Sequence, residues 1–191
     1  MTNRIVFICG SPGAGKTTII GGISPNRNYK VVNIGTLMTE LAIKRGYAKN
    51  RDDLRLLERA KFDTLQIDTF KRVSKMEGNI VLDTHATVEQ NGRYLPGISI
   101  EHTAYLKGLA GLVYIDALTH DISRRRKDDK TRRRENERLE LVDVQRLINI
   151  SVLSACSSHF NLPLYIVFNE QGELERSISQ LKTHLKDIFG A

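Results

Sequence analysis

Gly10-Ser11-Pro12-Gly13-Ala14-Gly15-Lys16-Thr17 satisfies every fixed position of G-x-x-x-x-G-K-[ST], and the apolar run Ile5-Val6-Phe7-Ile8-Cys9 precedes it directly. A buried parallel strand that feeds a tight loop and opens a helix near Lys16 turns this spacing into an anion site. Backbone N–H groups of the loop converge on phosphate oxygens, and the positive end of the helix dipole adds to the attraction. Gly13 and Gly15 permit positive φ and close approach of backbone to ligand. The binding set is therefore Gly10, Ser11, Pro12, Gly13, Ala14, Gly15, Lys16, Thr17 and Thr18. Lys16 is expected to reach the β- and γ-phosphates, and the Thr17 hydroxyl to hold Mg²⁺. A glycine-rich strand-to-helix turn can meet the bare pattern by chance. Strand, loop, Lys-Thr pair and helix together favour a nucleoside triphosphate, ATP or GTP.

The elements that position this loop alternate between strand and helix, which predicts an α/β fold with a five-stranded parallel sheet and helices on both faces. The expected strands are Arg4–Cys9, Lys30–Ile34, Asn79–Asp83, Leu112–Asp116 and Pro163–Phe168. Helices are expected from Gly15 to about Gly22, over Leu37–Arg45 capped by Gly35-Thr36, and over Leu54–Lys75. Others are expected over Ser99–Leu109, from Thr119 or Asp121 into a basic run, over Glu135–His159, and from Gly172 to about Ile188. No repeat, low-complexity segment or linker interrupts the chain. Residues 1–191 read as one domain, with substrate-binding insertions near 35–75 and 124–138.

Ligands of such sheets bind beyond the carboxyl ends of the strands. Asn33, Gly35 and Thr36 follow the second strand as a small polar turn. Asp83-Thr84-His85 follows the third, and Asn169 the fifth. Asp83 sits where a carboxylate can hold Mg²⁺ beside Thr17; the plainer alternative is an Asp capping the next turn. His85 either contacts a substrate phosphate or hydrogen-bonds its own loop. Arg51 and Arg55 stand in a polar stretch where they can meet an acceptor phosphate, with Asp52 and Asp53 favouring a helix start. Tyr94-Leu95-Pro96-Gly97 reads as a turn whose aromatic ring flanks a nucleobase, or as an ordinary tight turn. No residue stands out as a general base. A phosphate acceptor, already anionic at neutral pH, needs none.

The formal net charge is +7, and residues 124–134 alone carry a surplus of six positive charges. Arginines match phosphate oxygens bidentately and stay protonated, so the segment suits a clamp closing over a triphosphate. A solvated helix face is the usual reading of a charge run, and general nucleic-acid binding another. The arginine enrichment and the position after the fourth strand favour the clamp. The 191 residues suffice for a sizeable core, no apolar run is long enough to span a bilayer, and no secretory leader is visible. A cytoplasmic location is expected by default, with no membrane partner. Cys9 and Cys156 lack zinc-site spacing and read as core thiols.

In sum these pieces resemble the archaeal-type adenylate kinases from first strand to last. The resemblance rests on Gly10–Thr18, Asn33-Ile34-Gly35, Gly46-Tyr47-Ala48-Lys49 with Arg51-Asp52 and Arg55, and Asp83-Thr84-His85. Tyr94-Leu95-Pro96-Gly97 and Thr131-Arg132-Arg133-Arg134 complete it. Bacterial and general eukaryotic adenylate kinases usually carry Asp-Gly-Phe-Pro-Arg where this chain has Asp-Thr-His. The chain departs from its own branch at Arg93, where glycine is frequent, at Leu56, where lysine is common, and at Arg133 and Glu135 in the arginine-rich lid. The resemblance implies the reaction MgATP + AMP ⇌ 2 ADP. It implies an AMP-binding insertion, a short lid without a zinc finger, and a possible homotrimer. Arg125, Arg126, Arg132 and Arg134 are then lid groups that descend on the migrating phosphoryl, with Arg51 and Arg55 on AMP. A kinase for another nucleoside monophosphate or a nucleoside is the nearest rival. A nucleic-acid-stimulated NTPase is further off, because no RNA-binding aromatic motif is present, and no nucleic-acid partner is expected. A P-loop switch without transfer conflicts with Lys16-Thr17 and the acceptor-like stretch around Arg51.

Overall fold

The computed structural model describes residues 4–90, 92–128 and 138–190, with only the backbone of Arg55. Strands β1 (Ile5–Gly10), β2 (Tyr29–Asn33), β3 (Asn79–Asp83), β6 (Leu109–Asp116) and β7 (Leu164–Phe168) form a parallel sheet in the order β2-β3-β1-β6-β7. Every residue of the central β1 is buried. A parallel sheet covered on both faces requires such a continuously apolar strand. Side chains alternate between faces. Val6 and Ile8 pack with Ile19, Ile178 and Leu181, on helices α1 (Lys16–Gly22) and α7 (Leu174–Phe189). Ile5, Phe7 and Cys9 pack with Phe70 and Leu153, on α3 (Arg59–Val73) and α6 (Leu139–Phe160). Helix α5 (Thr119–Asp128) leaves the end of β6.

A third, smaller core joins α2 (Ile34–Lys44) to α3 through Met38, Ala42, Leu54 and Leu65. Here the chain differs from the expected helix over Leu54–Lys75. Residues Asp52–Leu56 form a 3₁₀ turn, Leu57 and Glu58 are extended, and α3 starts only at Arg59. Local side-chain bonds hold the turn that takes the place of the first helical residues. Asn50 Oδ1 accepts from the N–H of Asp52 at 2.8 Å, and Asp53 Oδ2 from that of Lys49 at 2.7 Å. Such bonds compete with a continuing helix. The expected helix over Ser99–Leu109 shrinks to α4 (Ile100–Thr103), because β6 begins at Leu109 and the preceding Gly108 has φ 88°.

Two further differences are the helix expected over Glu135–His159, which begins at Leu139 after an extended Arg138, and a β-hairpin, β4 (Thr87–Gln90) paired with β5 (Arg93–Pro96), across the residues read as a turn. Tyr94 is thus a half-buried strand residue opposite Glu89, not the tip of a turn. Its sequence signal was Asn91-Gly92, the dipeptide that two-residue hairpin loops prefer because φ is positive there; Gly92 has φ 76°.

Candidate functional site

The residues between β1 and α1 turn back on themselves, with Ala14 N–H donating to Ser11 O at 3.0 Å. Gly13 and Gly15 have φ of 87° and 88°, the left-handed conformations expected of them. Gly15 caps α1 with no side-chain hydrogen bond, and no acidic residue occupies the first turn. The first helical amides therefore retain their capacity for an external acceptor, and the dipole is not neutralised by a carboxylate. Thr17 and Thr18 lie exposed on that turn.

The loop is gripped from behind by a residue that follows β7 and by residues on α5. Asn169, just after β7, donates from Nδ2 to Ala14 O at 2.9 Å, and its backbone N–H donates to Asp116 O at 2.8 Å. Arg126 on α5 donates from Nε to Pro12 O at 2.6 Å and from Nη2 to Gln145 Oε1 at 2.7 Å. Only 4% of Arg126 is exposed, so this guanidinium is part of the loop's wall rather than a side chain hanging over it. Its neighbour Arg125 donates from Nη2 to Asn169 O at 3.1 Å, while its Nη1 is buried beside Gly15 without a hydrogen-bond partner. A buried N–H group calls for an acceptor. A phosphate oxygen placed on the loop would satisfy that demand.

Lys16 and Asp83 meet at the front of the loop. Lys16 Nζ donates to Asp83 Oδ1, and Asn33 Nδ2 donates to Asp83 Oδ2 at 2.6 Å. Asn33 also caps α2, its Oδ1 accepting from the Thr36 N–H at 2.9 Å, a role expected of Gly35-Thr36. The strand-end residues of β2 and β3 and the loop lysine are thereby one hydrogen-bonded group. Arg51 closes the fourth side. Its guanidinium packs so tightly over Gly35 that a Cβ there would lie 2.5 Å from Nη2. Burial lowers the Lys16 pKa from 10.5 to about 8, against a raising effect of Cys9, and the positive charge of Arg51 acts in the lowering direction. Asp83 pairs with Lys16, and with Arg51 close by the group carries more positive than negative charge, which makes it a place for an anion. Cys9, directly behind, is pushed up to about 12 by burial, opposed by the Lys16 charge, and is an inert core thiol.

Thr17 and Asp83 offer hard oxygen donors, the chemistry Mg²⁺ requires. Among the described residues no cluster of three or more His, Cys, Asp or Glu side chains exists. The donor set thus fits a magnesium ion held by one or two protein oxygens plus phosphates, and not a dedicated protein cage.

The other expected residues fall in different places. His85 is half-buried on the segment that the hairpin covers, with Gly97 packed against its carbonyl. Tyr94 lines a cavity of about 350 Å³ between the hairpin and α6, with Thr87, Ile98, Ile148 and Val152, away from the Lys16–Asp83 pair. Arg132 and Arg134, and the side chain of Arg55, lie outside the described residues. Sequence reasoning missed the clamp made by Gln145, Arg146 and Asn149. Arg146 donates to both oxygens of the buried Asp116 at 2.8 and 2.7 Å, and to Thr119 Oγ1 at 2.8 Å and Asp143 Oδ1 at 2.9 Å. That arrangement joins the end of β6 to both helices flanking residues 129–137. Polar residues on the inward face of a helical pattern were the available signal.

An AAA-domain family model matches residues 9–143. The adenylate kinase of Methanothermobacter thermautotrophicus is 30% identical over 185 residues, covering 96% of this chain and all of the relative. That of Thermoplasma acidophilum is 34% identical over 170 residues, covering 89% and 92%. That of Methanocaldococcus jannaschii is 31% identical over 193 residues, covering 97% and 100%. Among solved structures, a shikimate kinase from Bacteroides thetaiotaomicron superposes with a TM-score of 0.56 at 18% identity, covering 96% and 98%. A gluconokinase from Sinorhizobium meliloti superposes at 0.57 and 12%, covering 99% and 94%. At those identities the structures share the fold alone.

Proposed function

The chain belongs to the AAA-domain P-loop family and is an adenylate kinase, and we propose how its residues divide the transfer of a phosphoryl group from ATP to AMP. The carrying observation is the meeting of Lys16, Asp83, Asn33 and Arg51 at one point between the phosphate loop and α2. The donor triphosphate lies along Gly10–Thr18, its oxygens on the loop amides, with the unpartnered Nη1 of Arg125 beside Gly15 facing it. Lys16 exchanges Asp83 for a phosphate oxygen and neutralises charge on the group in transit. Bound Mg²⁺, held by Thr17 and Asp83, supplies further neutralisation of the phosphates.

Arg51, with Arg55, holds the acceptor phosphate in line, and Asn33, Gly35 and Thr36 shape the wall beside it. His85 stands at the far edge of this group. The acceptor oxygen is already anionic, so positioning and charge neutralisation replace a base. Arg132 and Arg134 are lid groups by resemblance, with Arg125 and Arg126 at the lid's root. Tyr94 would flank a base from its seat in the hairpin cavity.

The test is ADP formation from ATP with AMP, CMP, UMP, GMP or a nucleoside as acceptor. AMP-dependent turnover well above that with the other acceptors is the expected result. Turnover only with another acceptor transfers the assignment to that substrate.

The proposal extends to a homotrimer and a cytoplasmic location. Leu141, Val144 and Leu147 stand 50%, 41% and 64% exposed on α6, which supports association. Sedimentation equilibrium checks it, and a monomer refutes it. Both cysteines are free thiols, in keeping with a reducing compartment. Among the described residues no helix is long and apolar enough to cross a membrane.

A further inference from the structure

Helix α6 touches the phosphate loop twice from one buried face. Gln145 reaches Pro12 through Arg126, and one turn later Asn149 reaches Ser11 directly, donating from Nδ2 to Ser11 Oγ at 3.1 Å. Asn149 also accepts on Oδ1 from Thr87 Oγ1 at 2.6 Å, and Ser11 Oγ shares a hydrogen bond with Tyr114 OH at 2.9 Å. Thr87, Asn149, Ser11 and Tyr114 are 7%, 2%, 2% and 0% exposed. The chain therefore runs through direct side-chain contacts from the hairpin that follows Asp83 to the second residue of the phosphate loop and on to β6.

A buried polar chain is costly wherever one partner is lost, so each member is tied to its neighbours. The chain joins two segments that no backbone hydrogen bond connects. One is the loop after β1, which binds the donor. The other is the hairpin, whose Gly97 packs on the carbonyl of His85, two residues beyond Asp83. Displacement of the hairpin would pull on Thr87, and through a fixed amide on Ser11.

We propose that Asn149 is a positioning residue, which holds Ser11 so that the loop amides converge on the triphosphate and ties that geometry to the hairpin through Thr87. The proposal rests on the assignment of Gly10–Thr18 as the donor site. It does not depend on which acceptor is used. The amide bridges the two hydroxyls, with its N–H on the serine and its oxygen toward the threonine. Loss of the amide leaves the Ser11 side chain held from the β6 side, by Tyr114 OH, and no longer from α6. An error of about 1 Å in a positioned group can cost about 100-fold.

Titration calorimetry with MgATP, paired with thermal melts, tests this on the full chain, on Asn149→Leu, on Thr87→Val and on the double variant. Asn149→Leu is expected to raise the Kd for ATP by about 10-fold or more, within the range that misplacement allows, and to lower Tm. Thr87→Val is expected to raise Kd about threefold, because Ser11 keeps its contact to Asn149 while the far anchor is gone. The double variant removes both ends of one hydrogen bond, so part of the Tm returns. Its Kd is expected to stay as high as in Asn149→Leu, which a merely structural role would not produce. A Kd within twofold of the unsubstituted chain in Asn149→Leu overturns the proposal, and so does a Kd that recovers in step with Tm. Should Asn149→Leu fail to fold, an unchanged Kd in Thr87→Val overturns it equally. Absence of AMP-dependent turnover in the unsubstituted chain would remove the acceptor assignment while leaving these ATP affinities to decide this one.

Discussion

The phosphate loop and the acceptor-side insertion around Arg51 are held in opposite ways. The loop is backed by buried groups from three elements: Asn169 on Ala14, Arg126 on Pro12 and Asn149 on Ser11. The insertion has a small core of Met38, Ala42, Leu54 and Leu65, short-range turns around Asn50 and Asp53, and partly exposed ion pairs such as Arg45–Asp68. Few buried contacts and solvent-exposed local bonds mark the low-stability end of a structure. The difference teaches where rigidity is used. On the proposed assignment the donor site is the more tightly held of the two, and the acceptor side is the one expected to close on its substrate.

Substitutions on the two sides should therefore break different quantities. The largest effect is expected at their meeting point. Lys16→Met is expected to lower kcat by about 10² to 10³-fold, the usual cost of losing one charge-stabilising group at a reacting centre, as read by steady-state ADP formation. Gly15→Ala comes next. Its φ of 88° disfavours any side chain, and a Cβ would strike the Asn169 amide. Loss of ATP affinity by about 100-fold, with little recovery from added AMP, is expected in calorimetry. On the acceptor side, Arg51→Ala should raise the KM for AMP by about 10-fold or more, with the KM for ATP within about twofold, since charge-assisted contacts contribute about 1.5 to 3 kcal/mol. Equal changes in both would erase the distinction between the regions.

Leu65→Ala probes the small core. It is fully buried, and a cost of about 2 to 5 kcal/mol is expected in urea unfolding. A separate early transition for the insertion would sharpen the contrast with the loop. The smallest effect is expected at Arg45→Ala, where an ion pair about one-third exposed on each side contributes about 0 to 1 kcal/mol.

Much of this was legible in the residues. The apolar run Ile5–Cys9 and the glycine spacing after it located the loop, because a parallel strand buried on both faces has few sequence alternatives. Asp83 was found by its place at a strand end. What escaped was long-range or local in a way that periodicity does not carry. Asn50 and Asp53 bond nearby backbone and hold a 3₁₀ turn over Asp52–Leu56, where the apolar spacing from Leu54 onward suited a continuous helix. The hairpin was announced by Asn91-Gly92 but masked by reading Tyr94–Gly97 as the turn. Asn149 and Arg146 drew no notice because their partners Ser11 and Asp116 are distant in sequence, and only the fold brings them together.

The most direct test of the shared centre is a crystal structure with a dinucleotide in which five phosphates link two adenosines. The account predicts the phosphate chain crossing from the Gly13–Thr17 amides to Arg51, with Lys16 Nζ transferred from Asp83 to a bridging phosphate oxygen. A phosphate chain bound elsewhere, or a Lys16–Asp83 pair left intact beneath the ligand, would contradict it.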